Sequence, residues 1–313
     1  MDSRAFSIDQ TTRLLERLAL QIKRTSHSRA PEAVHDLRVA IRRFTQALDI
    51  SKPFLPSRAV KKIRRRIKAI MTLAGAVRDC DIALKLVTFS KAKDAATVAA
   101  KLRTRRTNAQ KVLAASLRQW TAENSVSKWR RALGGETTTG KSQPATLEAL
   151  ARRELPSLAE AFFREGRRAA SQEASAKQLH KFRLAAKRFR YSLELFAVLY
   201  GPAAGDWVEQ VRMTQTLLGS INDCAVTRRL VEELGAAAGM VAALKNRQKR
   251  KTREFRKAWE EDLNASEGAR LWIHALQHPP RKALARATRL EPVATKQQAY
   301  WPSPFGPQRI AAR

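Results

Sequence analysis

Apolar positions recur at helical spacing along nearly the whole chain. Leu14, Leu15, Leu18 and Ile22 share one face of a helix predicted over 8–24. The same period predicts helices over 34–50, 58–73, 80–89 and 98–117. No run of alternating β-branched residues bounded by turns interrupts this series, so the predicted class is all-α. Breaks are predicted at Pro53, Pro56, Gly75 and Gly134-Gly135. Residues 134–144, GGETTTGKSQP, read as a linker. Past Leu276 the prolines at 279, 280, 292, 302, 304 and 307 change the composition, and 276–313 read as a Pro-rich basic tail.

The pattern repeats itself. His35-Asp-Leu-Arg38-Val-Ala-Ile-Arg42-Arg43-Phe44 aligns with His180-Lys-Phe-Arg183-Leu-Ala-Ala-Lys187-Arg188-Phe189 at an offset of 145. Leu73-Ala-Gly75 through Asp79-Cys80 aligns with Leu217-Leu-Gly219 through Asp223-Cys224 at 144, and Val98 with Val241 at 143. Three matches in one order predict a tandem duplication, with repeat 1 over about 6–131 and repeat 2 over about 146–275. The two bundles together form one unit over 1–275. Asp79 and Asp223 follow the predicted glycine turns, so each is expected to cap the next helix; the other reading is that it orients a basic side chain. Cys80 and Cys224 read as small buried residues.

Charge narrows the partners. The 313 residues carry 61 Lys and Arg against 28 Asp and Glu, a formal charge of +33. Such a surface repels itself, and a polyanion relieves that cost. The candidates are nucleic acid, an anionic membrane surface and inorganic polyphosphate. At 44% the hydrophobic share is too high for a wholly disordered chain. The longest run of small and apolar residues, 235–244, is half the length a membrane span needs, so no membrane insertion is expected. Two cysteines and no apolar segment in MDSRAFSIDQ predict a reducing, cytoplasmic setting.

The repeated segment places its bases on one face. With His35 at the origin of a helical wheel, Arg38 falls at about −60° and Arg42 at about −20°, while Leu37, Ile41, Phe44 and Leu48 cluster near about 210°. His180, Arg183 and Lys187 repeat the basic face, with Phe182, Ala186, Phe189 and Leu193 on the core face. Arg43 and Arg188 flank the stripes. Like charges one turn apart destabilise a helix, and acids do not alternate with these bases, so a bound polyanion gives the arrangement its reason. Arg grips phosphate oxygens with a planar fork, and His adds a donor. Further bases accompany the stripes: Arg65 and Lys68, Arg103 and Arg106, Arg212, and Arg247 and Arg250.

HDLRVAIRRF, LAGAVRDCD, LHKFRLAAKRFRYSLELF and LLGSINDC resemble the CHAD family, the conserved-histidine α-helical domain. The resemblance covers most of residues 6–275. It implies two pseudo-symmetric helical bundles with a basic groove or channel between them. It also implies binding of inorganic polyphosphate, at polyphosphate granules and beside polyphosphate-metabolising proteins. The ligand-facing residues it implies are His35, Arg38, Arg42 and Arg43 with His180, Arg183, Lys187 and Arg188. The second copy carries the fuller ending Arg190-Tyr191…Glu194, where the first has Thr45, Gln46 and Asp49, so that end is carried over as Arg190 only.

Competing signals are weaker. Residues 135–142, GETTTGKS, fit the pattern of a phosphate-binding loop, but a charged helical segment precedes them and Pro144 follows. His35-Asp36 is similar to the ligand pair of metal-dependent phosphohydrolases, but His27, His274 and His278 are poorly placed to complete a site. No metal, cofactor or catalysis is expected. Nucleic acid is the alternative ligand, though aromatics are only 6% and Phe44, Phe182, Phe189 and Phe196 fall on the core side.

Overall fold

The computed structural model describes residues 2–90, 92–135, 146–263 and 266–280. Ten α-helices account for nearly all of them, and strands are absent among the described residues. The first five are α1 (Ser3–His27), α2 (Pro31–Ile50), α3 (Ser57–Thr88), α4 (Ala95–Ala122) and α5 (Ser125–Leu133). The second five are α6 (Leu147–Ala170), α7 (Ala176–Phe196), α8 (Pro202–Glu233), α9 (Ala238–Asp262) and α10 (Ser266–Gln277). A short 3-10 turn precedes α3 and another precedes α8. The two longest helices, α3 and α8, have 32 residues each. The phosphate-loop-like segment lies outside the described residues beyond Gly135, as does the tail beyond Pro280.

Local chemistry sets the helix starts. Asp2 and Thr146 cap α1 and α6 by accepting the amides of Ala5 and Ala149, and the two caps pair through one isolated antiparallel bridge. Pro31 and Pro202 occupy first-turn positions, where a missing N–H costs nothing. Ser175 and Gln178 form a reciprocal capping box on α7.

The predicted break at Gly75 does not exist. Segments 58–73 and 80–89 are one helix, α3, and Gly219 lies inside α8 in the same way. The buried residues Ile67, Ile70, Ala74 and Val77 carry the apolar period straight through Gly75. A single helical glycine costs only about 1 kcal/mol against alanine, which packing of that face offsets. Asp79 and Asp223 are therefore mid-helix residues and cap nothing.

Three apolar clusters hold the helices. One joins Leu15, Leu37, Phe44, Leu48 and Trp120 of the first five helices. Another joins Leu150, Phe162, Phe182, Phe189 and Trp259 of the second five. A third, with Val87, Leu102, Val231 and Leu244, ties the far ends of α3 and α4 to those of α8 and α9. All eight core positions expected on α2 and α7 are buried, as are Cys80 and Cys224. α2 packs on α7, and α3 on α8. Leu276 is buried and its carbonyl accepts the Tyr200 hydroxyl at 2.7 Å, which fastens α10 to the turn before α8.

The α2–α7 contact is polar at its centre. Gln46 donates to the Ser192 hydroxyl at 3.0 Å. Glu194, with a side chain only 4% exposed, takes Arg43 of α2 at 3.1 Å and Arg190 of its own helix at 3.0 Å. Removing that carboxylate takes away the charge that holds both guanidinium groups at this contact. Breaking a buried pair in this way costs roughly 3–5 kcal/mol. We expect Glu194→Ala to lower unfolding stability by about 3 kcal/mol in urea denaturation, with much of the loss restored by adding Arg43→Met and Arg190→Met.

Candidate anion-binding site

The packing of α2 on α7 and of α3 on α8 brings the basic faces of the two repeated segments together. Arg38 reaches across α3, where its Nη1 donates to the Met71 carbonyl at 3.2 Å. A Cβ on Gly75 would lie 3.1 Å from that same nitrogen, so the glycine leaves the groove in which the guanidinium rests. This, and not a turn, is what Gly75 supplies.

The charges meet in one place. Arg42 bears on His35, Arg38, Arg183 and Lys187, making it their common neighbour. Arg78 of α3 presses on His35 and Arg38. Six bases thus converge from three helices: His35, Arg38, Arg42, Arg78, Arg183 and Lys187. Two carboxylates sit among them. Asp79 faces Arg38, Arg183, Arg229 and Arg78, while Asp223 faces Arg183 and Arg78. Both are raised from their ordinary range, chiefly by burial, which the surrounding bases only partly offset.

Burial and mutual repulsion push the bases the other way. The Lys187 ammonium falls to about 6, first through desolvation and then through Arg42, Arg183 and Arg38. His35 falls to about 4 through desolvation, Arg78, Arg42 and Arg38. Arg38 falls to about 10, and Arg183 is lowered as well, burial leading in each case. The Arg183 Nε is buried and has no hydrogen-bond acceptor among the described residues. At an effective dielectric of about 20, unit charges roughly 4 Å apart repel by about 4 kcal/mol. Asp79 and Asp223, with Glu32 beside His35, are outnumbered by these bases, and an added anion offsets the excess.

The sequence-based candidates divide sharply. His35, Arg38, Arg42, Arg183 and Lys187 join the cluster. Arg43 and Arg190 are held on Glu194 instead; Arg43 bears on Arg17 and Asp36, away from the cluster. His180 and Arg188 lie exposed on α7, and Arg65 and Lys68 exposed on α3. Arg103 is exposed on α4. Arg106 serves the structure: its Nε holds Asp81, a carboxylate 1% exposed, at 2.6 Å, and it also donates to the Arg29 carbonyl. Arg212 pairs with Glu209 and Arg250 with Glu254, while Arg247 lies beside Cys224. At the divergent end of the first copy, Gln46 packs against Ser192 and Asp49 binds Lys52 and Arg64.

Sequence reasoning missed Arg78 and Arg229 and gave the two aspartates the wrong leading role. The second reading of them, as partners of bases in the site, is the one the geometry supports. Their signal was the unbroken apolar period of α3, which puts Asp79 on a helix face and not at a helix start. Among the described residues no group of three or more His, Cys, Asp or Glu comes together, and no helix is long and apolar enough to cross a membrane.

An all-helical protein with a half-buried cationic cluster between paired helices is the class this geometry defines. The chain belongs to the CHAD domain family, whose model matches residues 10–232. Its fold is similar to the crystal structure of the CHAD domain from the plant Ricinus communis, at 21% identity, with a TM-score of 0.63 and coverage of 90% of this chain and 96% of that one. It is also similar to PptA from Streptomyces chartreusis, at 16% identity, with a TM-score of 0.58 and coverage of 83% and 99%. No curated protein matches the chain.

The Lys187 shift fixes the sign of a pH effect. In the empty site Lys187 protonates only below about 6. An anion raises that value, so binding takes up a proton between about 6 and the liganded value. The affinity of the site for an inorganic oligophosphate used as a probe anion should therefore fall as pH rises from 7 to 9, with a slope of log K against pH approaching −1. Isothermal titration calorimetry across this range checks it. In Lys187→Met the slope should flatten.

Proposed function

We propose that the chain is a duplicated helical bundle whose two halves bring α2 and α7 to one basic groove, and that this groove binds inorganic polyphosphate without carrying out chemistry on it. The observation that carries the reading is the convergence of His35, Arg38, Arg42, Arg78, Arg183 and Lys187 on one half-buried place with fewer acids: Asp79 and Asp223 beside the arginines, and Glu32 beside His35. The duplication rests on matched order and length. Helices of 25, 20, 32 and 28 residues in the first half stand against 24, 21, 32 and 25 in the second. Membership of a family associated with polyphosphate supports the ligand. On this reading the protein sits at cytoplasmic polyphosphate granules, beside the enzymes that make or consume the polymer.

The cluster offers guanidinium forks and ammonium groups, which grip phosphate oxygens. Among the described residues it shows no exposed aromatic ring on which bases could stack. Phe44, Phe182, Phe189 and Phe196 are buried, and the exposed Phe89 lies about three helical turns past Arg78. On this reading the cluster binds the polymer and leaves its bonds unchanged.

Fluorescent polyphosphate displaced by DNA, RNA or unlabelled polyphosphate at near-physiological salt tests the reading. Polyphosphate should compete best at equal phosphate concentration. Arg38→Ala with Arg42→Ala, and Arg183→Ala with Lys187→Ala, should each weaken binding by about 2 kcal/mol or more. They should also flatten the dependence of log K on log salt. The fold should persist by circular dichroism. Lys111→Ala with Arg118→Ala removes the same charge from the exposed face of α4 and should cost much less. Equal displacement by DNA, or an equal loss in the α4 control, would leave only non-specific charge attraction.

A further inference from the structure

The first half of α3 carries a row of cations that the cluster does not use. Measured around the helix from Asp79, Lys61 falls at about 0°, Lys68 at about −20°, Arg65 at about +40° and Arg58 at about +60°. All four are exposed, and none has an ion-pair partner among the described residues. The neighbouring Arg64 and Arg66, which point elsewhere, are paired with Asp49 and Glu123. The row thus shares the face of Asp79, a cluster residue, and runs back along α3 for about 27 Å to Lys61. Its last member, Lys68, stands one turn before Thr72 and about 10 Å along the axis from Gly75, where Arg38 crosses the helix. Cations three and four residues apart weaken the helix that carries them, so the row works against α3 unless something anionic lies on it.

The equivalent helix of the other half, α8, has no such row. At the same offset α8 places Pro202, Gly205, Glu209 and Arg212 where α3 has Arg58, Lys61, Arg65 and Lys68. The one base among them, Arg212, is already held by Glu209 at 2.6 Å. The duplicated site is therefore matched at its centre and one-sided at its edge.

We propose that the α3 row is an extension of the central groove, along which a long polyphosphate chain leaves the cluster over the first half of the molecule and not over α8. The inference rests on the reading of the groove as a polyphosphate site and adds to it a direction and a dependence on chain length. A short oligophosphate is satisfied by the cluster alone. A long chain also neutralises Lys68, Arg65 and Lys61, releasing further counterions.

Binding of tripolyphosphate and of long-chain polyphosphate to the full chain separates the two regions. The Lys61→Ala/Arg65→Ala/Lys68→Ala variant should lose about tenfold or more in affinity for the long chain while binding tripolyphosphate as before. Its salt slope for the long chain should fall by about 2. The three side chains are exposed, so its circular dichroism should match the parent. A variant removing Lys111, Arg118 and Lys128 sets the effect of net charge alone and should leave both ligands unaffected. The inference is overturned if the α3 variant binds the long chain normally, if it loses both ligands equally, or if the α4–α5 variant loses as much. Failure of the parent protein to bind either phosphate would sink the functional reading and this one with it. Sensitivity to Arg38→Ala/Arg42→Ala alone would leave the groove standing and remove the row.

Discussion

Repulsion among like charges at the α2–α3–α7 junction is the constraint around which the molecule is arranged. Arg38, Arg42, Arg78, Arg183, His35 and Lys187 are driven together by helices whose other faces are buried hydrophobic surface. Full burial of one large apolar side chain is worth about 1.5–3 kcal/mol. Phe44, Leu37 and Leu48 on α2, with Phe182, Phe189 and Phe196 on α7, therefore supply enough to hold the bases where they repel. Burial first and repulsion after it lower the protonation of Lys187 and His35, while burial raises the two aspartates against the pull of the surrounding bases. A site so adjusted is a poor place for a fixed cation and a good one for an arriving anion.

Bases that look alike in the sequence take two different jobs. Arg43, Arg190 and Arg106 are consumed by carboxylates that are almost wholly buried; Arg43 and Arg106 thereby fasten one helix to another, while Arg190 pairs within α7. Arg38, Arg42 and Arg183 meet other bases. What separates the groups is whether the acids that packed neighbours bring match the bases in number, and those acids can be remote. Glu194 is 151 residues from Arg43, and Asp81 is 25 residues from Arg106.

This explains how much could be read beforehand. The helical class and the eight core positions of α2 and α7 follow from local periodicity, and so does the common face of His35, Arg38 and Arg42. Gly75 was misread because a glycine between two apolar runs looks like punctuation; its role is set by the Arg38 guanidinium from another helix. Arg78 stands alone in its own segment and becomes part of the site only when α3 packs beside α2. His180 matches His35 in sequence, yet it is exposed where His35 is half-buried. Repetition of residues does not guarantee repetition of environment.

On the proposed function, the empty cluster is strained by its own charge and a bound polyphosphate relieves that strain. Melting temperatures of the parent and of Lys187→Met, at low salt and neutral pH, with and without tripolyphosphate, test this most directly. Methionine keeps the volume of the lysine stem and removes the buried amine, an exchange that is often stabilising at such positions. The empty variant should melt above the empty parent, and tripolyphosphate should raise the parent's melting temperature more than the variant's. A variant that melts lower when empty, and gains as much as the parent from tripolyphosphate, would contradict it.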